Sequence, residues 1–226
     1  MKKENREIYN KLGEGKSFLL TDYTENYDLY VKNQNILNGR KFNMNCNDHD
    51  GVFKKIAEEV RTRIDVPTFG LCHGVRSGKE NYVLGQKLNC KVIGTEIGDK
   101  FGYPEITIKW DMHDIKDEWL ESCDVIYTNS FDHTYDPIYC LKQWAKTLKP
   151  TGIIVIQFSG LEDSPGGNYI HQHIQNKKYS PGDPFNSSLD TLIQMLEYTP
   201  LKLTEAKNYW YSTGNHNVKH LILELK

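Results

Sequence analysis

Apolar side chains recur at a helical period early in the chain. Val52, Phe53, Ile56, Ala57, Val60 and Ile64 fall on one face, Asp50 opens the segment and Pro67 closes it. Short apolar runs then alternate with amphipathic stretches. Residues 68–72 predict a strand, followed by a glycine-containing turn. Ser77-Gly-Lys-Glu80 has the S-x-x-E form of a capping box, which opens a helix through Tyr82, Val83, Leu84 and Leu88. Strands are predicted over 91–97, 105–109 and 123–128, with a short helix at Trp119 and Leu120. Asp136-Pro137 starts a helix with Ile138, Leu141, Trp144, Ala145 and Leu148 on one face; proline at the first helical position gives up no needed hydrogen bond. Lys149-Pro-Thr-Gly152 ends it, and 152–158 (G-I-I-V-I-Q-F) is a near-continuous apolar strand of the kind covered on both faces.

The rhythm then breaks. Residues 159–186 are rich in Gly, Pro, His and Asn and too long for an ordinary connection, which points to a functional loop. A helix over 189–197 follows, then two strands, about 201–209 and 218–225, joined through Ser212-Thr-Gly-Asn215. Strands alternating with helices predict an α/β, doubly wound, mostly parallel sheet of seven strands. The terminal hairpin inserts one antiparallel strand. Residues 1–65 read as a polar N-terminal extension and a first helix, and 66–226 as the sheet-bearing domain.

Composition narrows the class. The 226 residues carry 28 Lys+Arg against 30 Asp+Glu, a net charge of −2, with 38% hydrophobic and 26% charged residues. That balance excludes fibrous and disordered chains, and no run approaches the roughly 18 apolar residues of a membrane span. The charged N-terminus runs into no apolar region, so no secretory signal is expected. Near-neutrality argues against broad nucleic-acid binding. Cys46, Cys72, Cys90, Cys123 and Cys140 form no C-x-x-C pair; they are expected to be reduced cysteines in a cytoplasmic protein, with no cysteine zinc site.

In an open α/β sheet, ligands bind beyond the carboxyl ends of the strands. Four such ends carry suggestive residues. Leu71-Cys-His-Gly-Val-Arg-Ser-Gly78 is a tight turn entering a helix, in which Gly74 lets backbone approach a ligand or simply turns the chain. Glu96 lies at about the interval from Gly74 at which a carboxylate takes a ribose hydroxyl pair, and reads equally as a solvated strand-end acid. Asp111 and Met112 follow the third strand, where an acid can bond an exocyclic amine while an apolar side chain packs on a base; Asp111 also suits a helix cap. The fourth end is Thr128-Asn-Ser-Phe-Asp-His-Thr-Tyr135, in which His133 beside Asp132 offers a base near neutral pH.

Together with Leu148-Lys-Pro-Thr-Gly152 and the terminal hairpin, these features resemble the class I S-adenosylmethionine-dependent methyltransferases over residues 67–226. The resemblance implies a Rossmann-like methyltransferase domain with S-adenosylmethionine as cofactor. It implies that Cys72, His73 and Gly74 hold the methionine part, that Glu96 binds the ribose, that Asp111 and Met112 meet the adenine, and that Asn129 and Ser130 lie along the methionine chain. The first motif departs from the family's acid and G-x-G-x-G: Gly70 stands where the acid is expected, Cys72 replaces the first glycine and Arg76 the third. This C-H-G-x-R-x-G-x-E phrase is similar to a variant in bacterial and viral methyltransferase-like proteins, some near surface-glycan genes. Arg76 would hold the cofactor carboxylate or pair with Glu80.

The expected reaction is O-methylation of a small hydroxylated acceptor such as a sugar or glycan precursor, with His133 as base and Asp132 orienting it. Tyr135, His171 and His173 are candidate acceptor contacts; a metal site built from the two loop histidines with Asp163 or Asp183 is the lesser reading, and no metal is assigned. Tyr169, Tyr179, Trp210 and Tyr211 would suit sugar stacking, a core or a homodimer contact alike. A non-catalytic binding module and a nucleic-acid methyltransferase stay open. The latter would often show N/D-P-P-Y/F/W where this chain has Asn129-Ser-Phe-Asp, and a nicotinamide oxidoreductase should show G-x-G-x-x-G, which the turn lacks.

Overall fold

The computed structural model describes residues 1–13, 18–23, 25–42, 51–160, 183–211 and 216–226. A seven-stranded sheet is built from β2 (Phe69–His73), β3 (Lys91–Glu96), β4 (Thr107–Lys109), β5 (Cys123–Thr128), β6 (Leu148–Phe158), β8 (Leu201–Tyr211) and β9 (His216–Leu225), in the order β4-β3-β2-β5-β6-β9-β8. Only β9 runs against its neighbours: it lies antiparallel between β6 and β8, while β2 through β6 pair in parallel. The expected α/β doubly wound sheet with one inserted antiparallel strand is what forms. A separate two-stranded sheet, absent from the sequence reading, pairs β1 (Phe18–Leu20) with β7 (Phe185–Ser187).

Strand parity divides the core into two layers. In β6, Ile153 and Val155 face α3 (Val52–Arg61) and α4 (Lys79–Leu88), while Ile154 and Ile156 face α5 (Pro137–Thr147), α6 (Leu189–Leu196) and Tyr9 of α1 (Lys3–Gly13). Apolar residues on both faces are what made 152–158 read as a continuous run. Arg63 ties α3 to the terminal hairpin by bonding Glu59, Glu205 and Glu224. The N-terminal segment, read from sequence as a polar extension, holds α1 and the 15-residue α2 (Tyr27–Lys41). It is anchored on the helix cap predicted at Asp136, whose carboxylate accepts from Tyr139 N within α5 and from Tyr9 Oη (2.5 Å), Asn5 Nδ2 (2.9 Å) and the Lys2 amide (2.5 Å).

Two local expectations are corrected. The Ser77–Glu80 capping box does not form, because α4 starts at Lys79 behind Gly78, which has φ +85 and no side-chain cap bond. A Cβ at Gly78 would lie 2.3 Å from Thr107 Oγ1, so close packing against β4 sets this turn. Leu148 belongs to β6, paired with Cys123, rather than to the helix before it. The described cysteines Cys72, Cys90, Cys123 and Cys140 form no disulfide, and burial pushes the Cys123 thiol up to about 11, as befits a packing residue. No helix among the described residues is long and apolar enough to cross a membrane.

Burial of histidines gives the fold a pH dependence. Desolvation, with His113 nearby, lowers His73 to about 3; desolvation, with Lys55 nearby, lowers His220 to about 4. Both folded values lie below the ordinary 6.5, so their contribution is fully present above 6.5 and is lost as pH falls toward 4. At pH 5 each histidine is expected to remove about 2 kcal/mol of stability. Urea unfolding at pH 7 and pH 5 measures the sum. His73→Gln should shrink the difference by about half; an unchanged difference would remove His73 from the account.

Candidate functional site

The carboxyl ends of β2, β3, β4 and β5 converge on one cleft. β2 is followed by Gly74, at φ +70, where an added Cβ would fall 2.6 Å from Ser130 Cβ and 3.2 Å from Met112 Cε. The Gly74 and Val75 amides bond Thr95 O (2.9 and 3.2 Å), and Ser130 Oγ donates to Gly74 O (3.0 Å). The cleft floor is therefore backbone, held on both sides. Arg76 follows, itself at φ +49, and its amide donates to Glu96 Oε2 (2.6 Å) while the Gly98 amide donates to Oε1 (2.8 Å). Glu96 is only 7% exposed, so these amides fix a nearly buried carboxylate whose oxygens keep lone pairs for a further donor. Trp110, Met112, Ile97 and Thr95 complete this side of a cleft of about 520 Å³ that opens to solvent.

The opposite wall is α2. Tyr30, Gln34, Leu37 and Asn38 line the cleft, the three polar ones at i, i+4 and i+8 on one face. Tyr30 Oη donates to His133 O (3.1 Å), Tyr27 Oη to Asp111 Oδ2 (2.7 Å), and Asn35 Oδ1 accepts from the Asp99 amide (3.1 Å). The helix is thus fastened to the loops after β3, β4 and β5. A Cβ at Gly98 would meet Asn38 Nδ2 at 2.2 Å, which explains a glycine where the helix crosses. Asn38 Oδ1 is buried and has no hydrogen-bond partner among the described residues. The sequence reading missed this wall. Its signal was present: buried polar side chains on an Asn- and Gln-rich helix whose faces do not separate into polar and apolar.

Of the predicted residues, Gly74, Arg76, Glu96, Met112, Ser130 and His133 come together on the cleft. Cys72 and His73 do not, because strand parity turns their side chains into the two core layers. Cys72 packs with α3 and α4, and the fully buried His73 ring stacks on Trp144 (4.7 Å, 9°) with Nδ1 2.8 Å from Thr95 Oγ1. Only their backbone borders the turn. Asp111 lies behind the cleft. Burial alone would raise its carboxyl, but the neighbouring His113 and Tyr27 outweigh that and hold it below the usual range. Tyr135 stacks on the His113 ring (3.8 Å) and against Tyr30 (4.8 Å), also behind the wall. His171, His173 and Asp163 lie outside the described residues.

A second cleft of about 460 Å³ adjoins the first across the short turn Phe131–His133. It is lined by Asn129, Phe131, Asp132, Gln157, Phe158, Ser159, Phe185 and Asn186. Successive residues therefore face different spaces: Asn129 and Asp132 the second cleft, Ser130 and His133 the first. Asn129 Nδ2 also donates to Glu80 Oε1 (2.7 Å). The surroundings of His133 differ from expectation. Nδ1 is 2.7 Å from Gln34 Oε1, and Nε2 faces Asp183 Oδ1 at 3.5 Å and Asp132 Oδ1 at 3.9 Å. Gln34, not Asp132, orients the imidazole.

No protein-family model matches the sequence, and no curated protein matches it either. Solved structures do match in fold. The 1,6-didemethyltoxoflavin-N1-methyltransferase of Burkholderia thailandensis, with 1,6-didemethyltoxoflavin and S-adenosylhomocysteine bound, superposes with a TM-score of 0.67 at 10% identity over 92% of each chain. Geranyl diphosphate C-methyltransferase from Streptomyces coelicolor A3(2), in complex with Mg²⁺, geranyl diphosphate and S-adenosyl-L-homocysteine, gives 0.55 at 11% identity, over 76% of this chain and 79% of that one. Mitomycin 7-O-methyltransferase gives 0.52 at 12%, over 77% of this chain and 54% of that one. The chain has the Rossmann-like fold of the class I S-adenosylmethionine-dependent methyltransferases.

Proposed function

We propose that the protein is an S-adenosylmethionine-dependent methyltransferase that O-methylates a small hydroxylated acceptor, such as a sugar or glycan precursor. The observation that carries this reading is the Glu96 carboxylate, fixed by two backbone amides on a cleft between the Gly74 turn and α2. S-adenosylmethionine, when bound, supplies a methyl group on a sulfonium for in-line transfer to a nucleophile. The residues present fit it. Glu96 offers acceptors to the ribose hydroxyls, and Gly74 lets the turn at φ +70 pack against Ser130 and Met112, where a Cβ would clash. Met112 and Trp110 present apolar surface for adenine, Asn38 Oδ1 is a buried acceptor without a donor among the described residues, and Arg76 suits the amino-acid carboxylate. Ser130 lies along the methionine chain, and Asn129 reaches it through Ser130 Oγ (3.0 Å).

The second cleft would take the acceptor. It adjoins the proposed cofactor cleft and is lined by Asn129, Asp132, Gln157 and Asn186 beside Phe131, Phe158 and Phe185, and the structural neighbours' names refer to small acceptors. His133 stands at the border, oriented by Gln34, and is the residue that would activate the acceptor hydroxyl. His133→Ala is expected to lower turnover about 100-fold or more with S-adenosylmethionine affinity kept, as read by calorimetry and a methyl-transfer screen over sugars, sugar nucleotides and RNA. Turnover equal to the parent's would remove His133 from the reaction. Transfer to RNA alone would replace the small acceptor by a nucleic acid.

A further inference from the structure

We propose that Asn38, on α2, reads the base of the nucleoside held in the first cleft: its side-chain carbonyl accepts a hydrogen bond from the exocyclic amine of adenine. The inference deepens the methyltransferase reading and rests on it for the identity of the ligand. Asn38 is 8% exposed, and its Oδ1 is buried with no hydrogen-bond partner among the described residues. The other end of the amide is directed at Lys100 O, 3.5 Å from Nδ2. The side chain packs on Gly98, where an added Cβ would lie 2.2 Å from Asn38 Nδ2 and 3.1 Å from Glu96 Oε1. Asn38 thus stands beside the carboxylate assigned to the ribose. A buried carbonyl has given up its water and needs a donor in return. Asn38 lines the cleft, so a ligand can supply that donor.

The lone pairs available decide which donor it is. Each oxygen of Glu96 accepts one backbone amide, from Arg76 or from Gly98, and keeps a site for a ligand. The two ribose hydroxyls fill those sites with their protons. What the nucleoside still has to give is the N–H pair of its exocyclic amine, while the Gly74 turn and Arg76 take the amino-acid end. Asp111, which the resemblance assigned to adenine, is already engaged. Its Oδ1 accepts from the His113 amide (2.9 Å) and lies 2.7 Å from His113 Nδ1, and its Oδ2 accepts from Tyr27 Oη (2.7 Å). The task therefore passes from the end of β4 to a helix that precedes the sheet in sequence. A carbonyl at this place also selects against oxo purines, whose own oxygen would meet it acceptor to acceptor.

The same bond that holds the base would satisfy a group of α2, so ligand and helix stabilise each other. Adenosine is expected to slow amide hydrogen exchange in α2 more than purine riboside, the same nucleoside without the amine.

The deciding test is titration calorimetry on the full chain with adenosine, purine riboside, 2′-deoxyadenosine and S-adenosylmethionine. The parent should bind adenosine about tenfold or more tighter than purine riboside. In Asn38→Leu and in Asn38→Ala that ratio should fall to within about threefold. Both variants should keep the preference for adenosine over 2′-deoxyadenosine, which Glu96 sets and which shows that the cleft is intact. Equal binding of adenosine and purine riboside by the parent overturns the proposal without any variant, as does an undiminished ratio in Asn38→Leu. If the parent binds S-adenosylmethionine yet shows no preference for the amine, Asn38 loses its role and the methyltransferase reading stands. If adenosine binds with the amine preference and S-adenosylmethionine does not bind, the reverse holds.

Discussion

Glu96→Ala is expected to weaken S-adenosylmethionine binding by roughly 100-fold or more, and also to lower the melting temperature, since it leaves the Arg76 and Gly98 amides without their acceptor. A hydrogen bond to a charged group contributes about 1.5–3 kcal/mol, and a ribose diol would make two to this carboxylate. The protein has already met the desolvation of the charge, since Glu96 is nearly buried and takes one amide on each oxygen. Glu96→Gln should give a smaller loss, because one oxygen remains to accept. Titration calorimetry reads both. An affinity within about threefold of the parent's in Glu96→Ala would mean that the cleft does not hold the cofactor by its ribose, and the functional reading would lose its main support.

The second large effect is on stability. Trp144→Ala is expected to cost about 3–5 kcal/mol and to lower the melting temperature by on the order of 10 °C. Trp144 is fully buried, stacks on His73, packs 5.7 Å from Phe131 and donates from Nε1 to Met112 O (2.8 Å). Its removal leaves a cavity and an acceptor short of a bond. Trp144→Phe should fall between, keeping a ring and losing the N–H. Because Met112 borders the cleft, the alanine variant should also bind cofactor more weakly although Trp144 touches none of it. Differential scanning calorimetry checks the first claim; a loss below about 1 kcal/mol would show that the site collapses to fill the space.

The sheet was readable because its signals are local. Apolar runs such as 152–158 announce strands covered on both faces, and Asp136-Pro137 marks a helix start by chemistry that acts within one turn. The cleft residues at strand ends were readable for the same reason: Gly74 and Glu96 follow from where the strands stop. What escaped depends on contacts distant in sequence. Cys72 and His73 stood in the right motif, but strand parity, not motif position, decides where their side chains go. Gln34 lies 99 residues from the histidine it orients, and Asp183, named from the sequence only beside the loop histidines, faces His133 from far along the chain. The 15 residues of α2 carry no clean apolar stripe, since one of their faces packs on a polar cleft rather than on an apolar core.

That last feature changes what counts as the smallest working unit of this chain. A version trimmed to begin at α3 would retain every strand of the large sheet and both of its helical layers except α1. It would lack Tyr30, Gln34, Leu37 and Asn38, hence one whole side of the ligand cleft and the group that orients His133. It would also strip Asp136 of three of its donors and β7 of its partner strand. The N-terminal segment and the large sheet, far apart in sequence, thus build the cleft together.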